Sequence, residues 1–220
     1  YAALGRGTLA ASREYGGAEF ACVLGQEMAG YATGETFFAA QSLGFRHSHL
    51  DTGAYGYDQQ HADRDLDKAV RFLVDDEAGR VVLTSMVACL FARSVYTDEV
   101  LGECLASLGC ARLAGDLDAL GARVQQLRWR MRLATGFTPA AITIPKRFFR
   151  VTTWKGPIDG AYLEQLQAAH GQAILALAGT IGAWGWIGLV PLATGLIGWC
   201  PAYLPLGLNT CRRPDDSPPA

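Results

Sequence analysis

Apolar residues recur along this chain at helical spacing. From Asp65 to Val74, the positions Leu66, Ala69, Val70 and Leu73 fall on one face, which predicts an amphipathic helix. Thr97 is placed to cap a second helix, with Asp98 and Glu99 in its first turn, where the positive end of the backbone dipole favours carboxylates. Val100, Leu101, Cys104, Leu105 and Leu108 form its apolar stripe, and Gly109 is its expected stop. A third helix begins at Leu117, with Leu117, Leu120, Val124, Leu127 and Met131 on one side and Arg123, Arg128, Arg130 and Arg132 mostly elsewhere. Val81–Arg93 is more evenly apolar and predicts a buried helix. No hairpin turn signal flanked by alternating apolar residues occurs, so strand content is expected to be low. Pro139, Pro145 and Pro157 punctuate an irregular stretch from Thr138 to Asp159, expected to cross the surface of a helical domain.

The pattern then changes. Charges occur throughout residues 1–164, whereas Gln165 to Cys211 contains no Asp, Glu, Lys or Arg. Gly185–Leu206 supplies roughly the twenty apolar residues that a bilayer span requires. Trp184, Trp186, Trp199 and Tyr203 stand near its ends, as interfacial aromatics do. Arg150 and Lys155 precede the stretch and Arg212 and Arg213 follow it, which favours a re-entering hairpin with both ends cytoplasmic. Gln165, Gln167, His170 and Gln172 make the first arm unusually polar, so a buried hairpin in a soluble protein stays open. The expected fold is mainly α: an irregular helical domain over 1–166, a hydrophobic, transmembrane helical hairpin over 167–211, and a disordered tail over 212–220.

Composition narrows the classes. A net charge of −2 with 50% hydrophobic residues describes a core-forming chain, not a disordered or nucleic-acid-coating one. The arginines between 123 and 132 read as a solvated face, and no nucleic-acid partner is expected. The opening YAALGRG shows no initiator Met, no basic n-region and no signal-peptide h-region, so the chain is expected to begin inside a longer reading frame. Six cysteines show no paired framework, which points to a reducing cytosolic setting for the polar part.

Candidate chemistry concentrates in GFRHSHLDTGAYGYDQ, residues 44–59, where glycines and polar side chains interrupt the helical pattern. His47, His49 and Asp51 on one loop would make only a poor metal chelate without further ligands. The nucleotide and nucleophile-elbow glycine motifs do not occur. From the residues alone, His47 is either a proton carrier or a loop histidine bonded to Asp51. Arg46 either steers an anion or pairs with Asp51, and Cys89 is either a ligand or a plain buried cysteine.

Taken in order, LGRGTLAASREYGG (4–17), GQEMAGYATG (25–34), GFRHSHLD (44–51), LTSMVACLFARSVY (83–96), IPKRFF (144–149) and WKGPIDG (154–160) resemble the C-terminal helical part of the tungsten-containing aldehyde ferredoxin oxidoreductase family. The resemblance covers about residues 3–166, and the order and spacing of short motifs carry it. It implies a tungsten (or molybdenum) bis-pterin beside a [4Fe–4S] cluster, aldehyde oxidation to a carboxylic acid, and a ferredoxin-like electron acceptor. It implies that Cys89 is the fourth cluster ligand, the other three coming from a C-x2-C-x3-C run in an N-terminal pterin domain absent from these residues. His47 matches the proton-handling histidine near the metal, His49 a supporting neighbour, and Arg46 a contact to anionic pterin phosphates. The family's Asp and Gly five and two positions before the cysteine are here Thr84 and Val87.

The ending, GAWGWIGLVPLATGL (182–196) and GWCPAYLPLGLNTC (198–211), resembles a small two-helix inner-membrane domain found alone or behind a rhodanese domain. Together the resemblances imply an oxidoreductase fragment, inactive alone, on the cytoplasmic face of the inner membrane, with the lipid bilayer as a partner. The alternatives are a membrane-anchored helical scaffold without catalysis, or an artificial join near residue 170.

Overall fold

The computed structural model describes residues 2–16 and 22–179. The chain divides into two compact units, Tyr1–Ala178 and Gly179–Ala220, and the described residues belong almost wholly to the first. Their helices are α1 (Ala2–Gly5), α2 (Thr8–Tyr15), α3 (Glu35–Leu43), α4 (Ala54–Gln60), α5 (Leu66–Ser85), α6 (Asp98–Ser107), α7 (Ala111–Ala114), α8 (Leu117–Ala134) and α9 (Gly160–Leu177). Two small antiparallel hairpins also form. In one, β1 (Cys22–Val23) pairs with β2 (Gln26–Glu27), and in the other β3 (Thr152–Thr153) pairs with β4 (Gly156–Pro157). The domain is mainly helical, as expected. The hairpins escaped the sequence reading because two-residue strands are too short to show alternation.

Helices α3, α5, α8 and α9 pack around the main core, built on Phe37, Phe38, Leu43, Leu73, Trp129, Leu163, Leu166 and Ile174. Asp65, Thr97, Asp116 and Asp159 cap α5, α6, α8 and α9 by accepting from backbone N–H groups in their first turns. On α5, Ala69 and Leu73 are buried as their spacing predicts. On α8 the buried set is Leu117, Gly121, Gln125 and Trp129, whereas Leu127 and Met131 are exposed. The stripe is therefore rotated from the expected one, because Gly121 allows close approach to α5 and the polar atoms of Gln125 and Trp129 find a partner there.

Two expectations are corrected. Val81–Arg93 is not one buried helix: α5 ends at Ser85, and a 3-10 turn follows at Leu90–Ala92. The stop is a Schellman motif, with Val87 N–H donating to Thr84 O and Ala88 N–H to Leu83 O. Gly109 and Gly136 sit at the same position after α6 and α8, with φ of 76° and 92°. After α5 the left-handed residue is Val87, φ 59°, so the usual glycine signal was missing. The second correction concerns Thr138–Asp159. Rather than merely crossing the surface, it buries Pro139, Ile142, Ile144, Phe148 and Ile158 in the core.

Helix α9 runs without a break through residue 166 and buries Leu163, Leu166, His170, Gly171 and Ile174. Residues 167–177 of the expected membrane hairpin thus lie on a helix packed against α3 and α5. Among the described residues no helix is long and apolar enough to cross a membrane. The rest of the expected hairpin, with Cys200 and Cys211, and the expected tail lie outside the described residues.

Candidate functional site

The histidine loop leaves α3 at Gly44. A Cβ there would stand 2.6 Å from the Asp51 carboxylate and 2.7 Å from Ala40 O, so only glycine permits the turn. Asp51, 3% exposed, then organises the loop. One carboxylate oxygen accepts from the backbone N–H of Arg46 and Ser48, and the other accepts from Arg46 Nε at 2.7 Å. Of the alternatives for Arg46, pairing with Asp51 is what the structure contains.

His47 is 4% exposed and adopts a left-handed backbone, φ 52°. Its Nδ1 lies 2.9 Å from Ser42 O and its Nε2 faces an Arg132 nitrogen. A carbonyl only accepts and a guanidinium only donates, so Nδ1 carries the proton and Nε2 is the acceptor. The contact to Arg132 requires a neutral ring, since a protonated Nε2 could not accept. Burial, then the nearby Arg132 charge, push its pKa below the ordinary histidine value. His47 is therefore neither a surface residue nor bonded to Asp51.

The neighbouring His49 goes elsewhere. It lines an open cleft of about 910 Å³ between the loop, α4, α5 and the segment after α5. Tyr31 stacks on Phe37 and meets the rings of Tyr55 and His49 edge-on at 5.3 and 5.5 Å. Across the cleft, Tyr57 stacks on His61 at 4.3 Å and on Phe72 at 4.5 Å. The imidazole of His49 makes no hydrogen bond among the described residues, so its nitrogens are open to a ligand. Asp76 holds this wall to α5 by accepting from Gly53 N and from Arg80, whose own fork reaches Leu50 O. The tyrosines and His61 were missed by the sequence reading, although YATG and GAYGYDQQH show them as an aromatic cluster about the loop.

Phe91 and Arg93 form part of the cleft's rim, which brings the cysteine segment alongside the histidine loop. Cys89 itself is an exposed, free thiol at the start of the 3-10 turn, not the buried helical residue expected. Val87, Phe91 and Val95 around it are 92%, 83% and 63% exposed. Among the described residues, no group of three or more His, Cys, Asp and Glu side chains could hold a metal ion. A cluster needs four thiolates. Cys89 is at most one of them and is not a site by itself.

WKGPIDG braces the floor of this region. Lys155 reaches the fully buried Asp58 at 2.8 Å, Trp154 Nε1 donates to Asp58 O, and Asp58 accepts from Phe37 N at the start of α3. Glu35, also buried, accepts from Arg64 and from Asp159 N. These links fix α3 and α4, and with them both ends of the histidine loop.

Residues 1–172 match the family model described as aldehyde ferredoxin oxidoreductase, domains 2 & 3. Residues 165–214 match the model described as inner membrane protein YgaP-like, transmembrane domain. The two follow one another in the order the sequence motifs indicated. No curated protein and no solved structure matches the chain.

Proposed function

Because the chain belongs to the aldehyde ferredoxin oxidoreductase family over residues 1–172, we propose that it is the helical part of an enzyme that oxidises aldehydes to carboxylic acids. The reaction consumes an aldehyde and water and yields a carboxylate, three protons and two electrons, the electrons leaving to a ferredoxin-like carrier. When bound, a tungsten or molybdenum bis-pterin would accept the electron pair and a [4Fe–4S] cluster would pass the electrons on singly. In this reading a pterin domain carries C-x2-C-x3-C, and Cys89 completes the cluster's thiolates. The observation that supports it best is the free thiol of Cys89 among exposed Val87, Phe91 and Val95, beside the cleft that the histidine loop walls.

This chain's own residues bind, orient and move protons. Tyr31, Tyr55 and Phe91 offer an apolar lining to an aldehyde. The family resemblance gives the substrate-derived proton to His47, whose Nε2, the nitrogen held unprotonated, faces Arg132. One observation favours a second assignment: His49 already faces the cleft with no hydrogen bond to its ring among the described residues. Arg46, tied to Asp51, has guanidinium N–H groups left for a pterin phosphate. The match of residues 165–214 to a transmembrane-domain family supports attachment to the inner membrane, and the basic residues on both sides of the apolar stretch argue for a cytoplasmic helical domain.

The test is coexpression with a pterin domain bearing C-x2-C-x3-C, followed by aldehyde-dependent reduction of benzyl viologen. His47→Asn is expected to lower kcat by about 10²-fold or more and to remove the acidic limb of the pH profile. Loss of that limb in His49→Asn alone would transfer the role to His49. Unchanged activity in both variants would refute a base on this loop.

A further inference from the structure

On the far side of His47 lies a second, smaller depression of about 430 Å³, lined by Phe45, Arg128, Met131, Arg132 and Thr135. The guanidinium of Arg128 lies 3.9 Å from the centre of the Phe45 ring. That of Arg132 lies 4.3 Å from the centre of Phe137 and 5.4 Å from Phe45. A guanidinium stacked on an aromatic ring uses its face and keeps its in-plane N–H donors free. Arg132 places one donor on His47 Nε2. Arg128 donates no side-chain hydrogen bond and makes no ion pair among the described residues.

Like charges one helical turn apart are unfavourable, and an anion between or beside two such guanidinium groups offsets that cost. Asp51 and Glu77 lie behind them and stabilise both charges from a distance, but neither carboxylate accepts a hydrogen bond from either guanidinium. Asp51 is occupied by Arg46 and by backbone N–H groups. Glu77 is 4% exposed, and its Oε2 accepts from Gln125 and Trp129. Neither lines the depression, whose five residues include two arginines and no acid. We propose that Arg128 and Arg132, fixed over Phe45 and Phe137, form a binding site for a small oxyanion, a carboxylate or phosphate group held by their free forks. The site is separate from the aromatic cleft and does not depend on the reaction assigned to it. Planar forks suit two-oxygen groups, which a chloride ion does not provide.

The experiment uses the full chain in detergent micelles, titrated with sodium phosphate and sodium acetate at constant ionic strength. The readout is the set of arginine Nε–Hε NMR shifts. Saturable shifts confined to Arg128 and Arg132 are expected with either anion. Arg128→Gln should weaken binding about tenfold or more, because it removes a charge-assisted contact that nothing else in the protein uses. Arg130→Gln, an exposed neighbour outside the depression, should leave binding unchanged. Arg128→Lys keeps the charge but loses the fork, and an intermediate affinity is expected. Non-saturable shifts, or equal losses in Arg128→Gln and Arg130→Gln, would show general charge attraction and overturn the site. So would shifts appearing only with phosphatidylglycerol vesicles and not with the free anions.

Discussion

Val87 shows how a single residue can hide a structural boundary. The family pattern places glycine two positions before the cluster cysteine, and the backbone here keeps the left-handed turn that glycine would favour, φ 59°, with a β-branched side chain. Holding a non-glycine residue there costs about 1–2 kcal/mol. Val87→Gly is therefore expected to raise stability by about 1 kcal/mol in denaturant unfolding, a gain reduced by glycine's entropy in the unfolded chain. At His47 the balance is electrostatic. Arg132 opposes the charged ring from α8, Asp51 favours it from the loop, and burial weighs against it most. Arg132→Met should raise the His47 pKa, read from its ring ¹³C or ¹⁵N shifts against pH. His170 is buried without a charge partner: it is 3% exposed and its Nδ1 has no hydrogen-bond partner among the described residues.

Among the elements, the contact between α5 and α8 explains what periodicity could and could not reveal. Apolar spacing located α5 and α8, and spacing with the Thr97 cap located α6, because those signals are local. Which face of α8 turns inward depends on its partner. At Gly121 a Cβ would meet Ala78 O at 2.6 Å, and Glu77 on α5 accepts from Gln125 and Trp129 on α8. A long-range contact of this kind leaves no periodic mark in either segment. Gly121→Ala is expected to cost about 1–3 kcal/mol through overpacking. Gly79→Ala, on the exposed side of α5 with nothing within 4 Å of its added Cβ, should stabilise by up to about 1 kcal/mol. Thermal midpoints moving in opposite directions would support the packed arrangement, and equal shifts would count against it. The site was legible to a similar degree. GFRHSHLD marked the loop, but its two histidines diverge, one into the core and one into the cleft. Alternation along the loop does not decide that, whereas Ser42 O and Arg132 do.

At the scale of the whole molecule, a helical domain of the aldehyde ferredoxin oxidoreductase family runs directly into residues that match an inner-membrane transmembrane model. The domain presents an aromatic cleft, a histidine loop on its wall and an exposed thiol beside its rim. The central claim is that Cys89 supplies the fourth thiolate of a cluster shared with a second domain. The most direct measurement is electron paramagnetic resonance with iron analysis of the dithionite-reduced complex, assembled with a pterin domain carrying C-x2-C-x3-C. The wild-type complex is predicted to hold about four irons and to show a reduced [4Fe–4S] signal. In Cys89→Ala the signal should be lost or altered and the iron content should fall. Full iron content and an unchanged signal in Cys89→Ala would contradict the account.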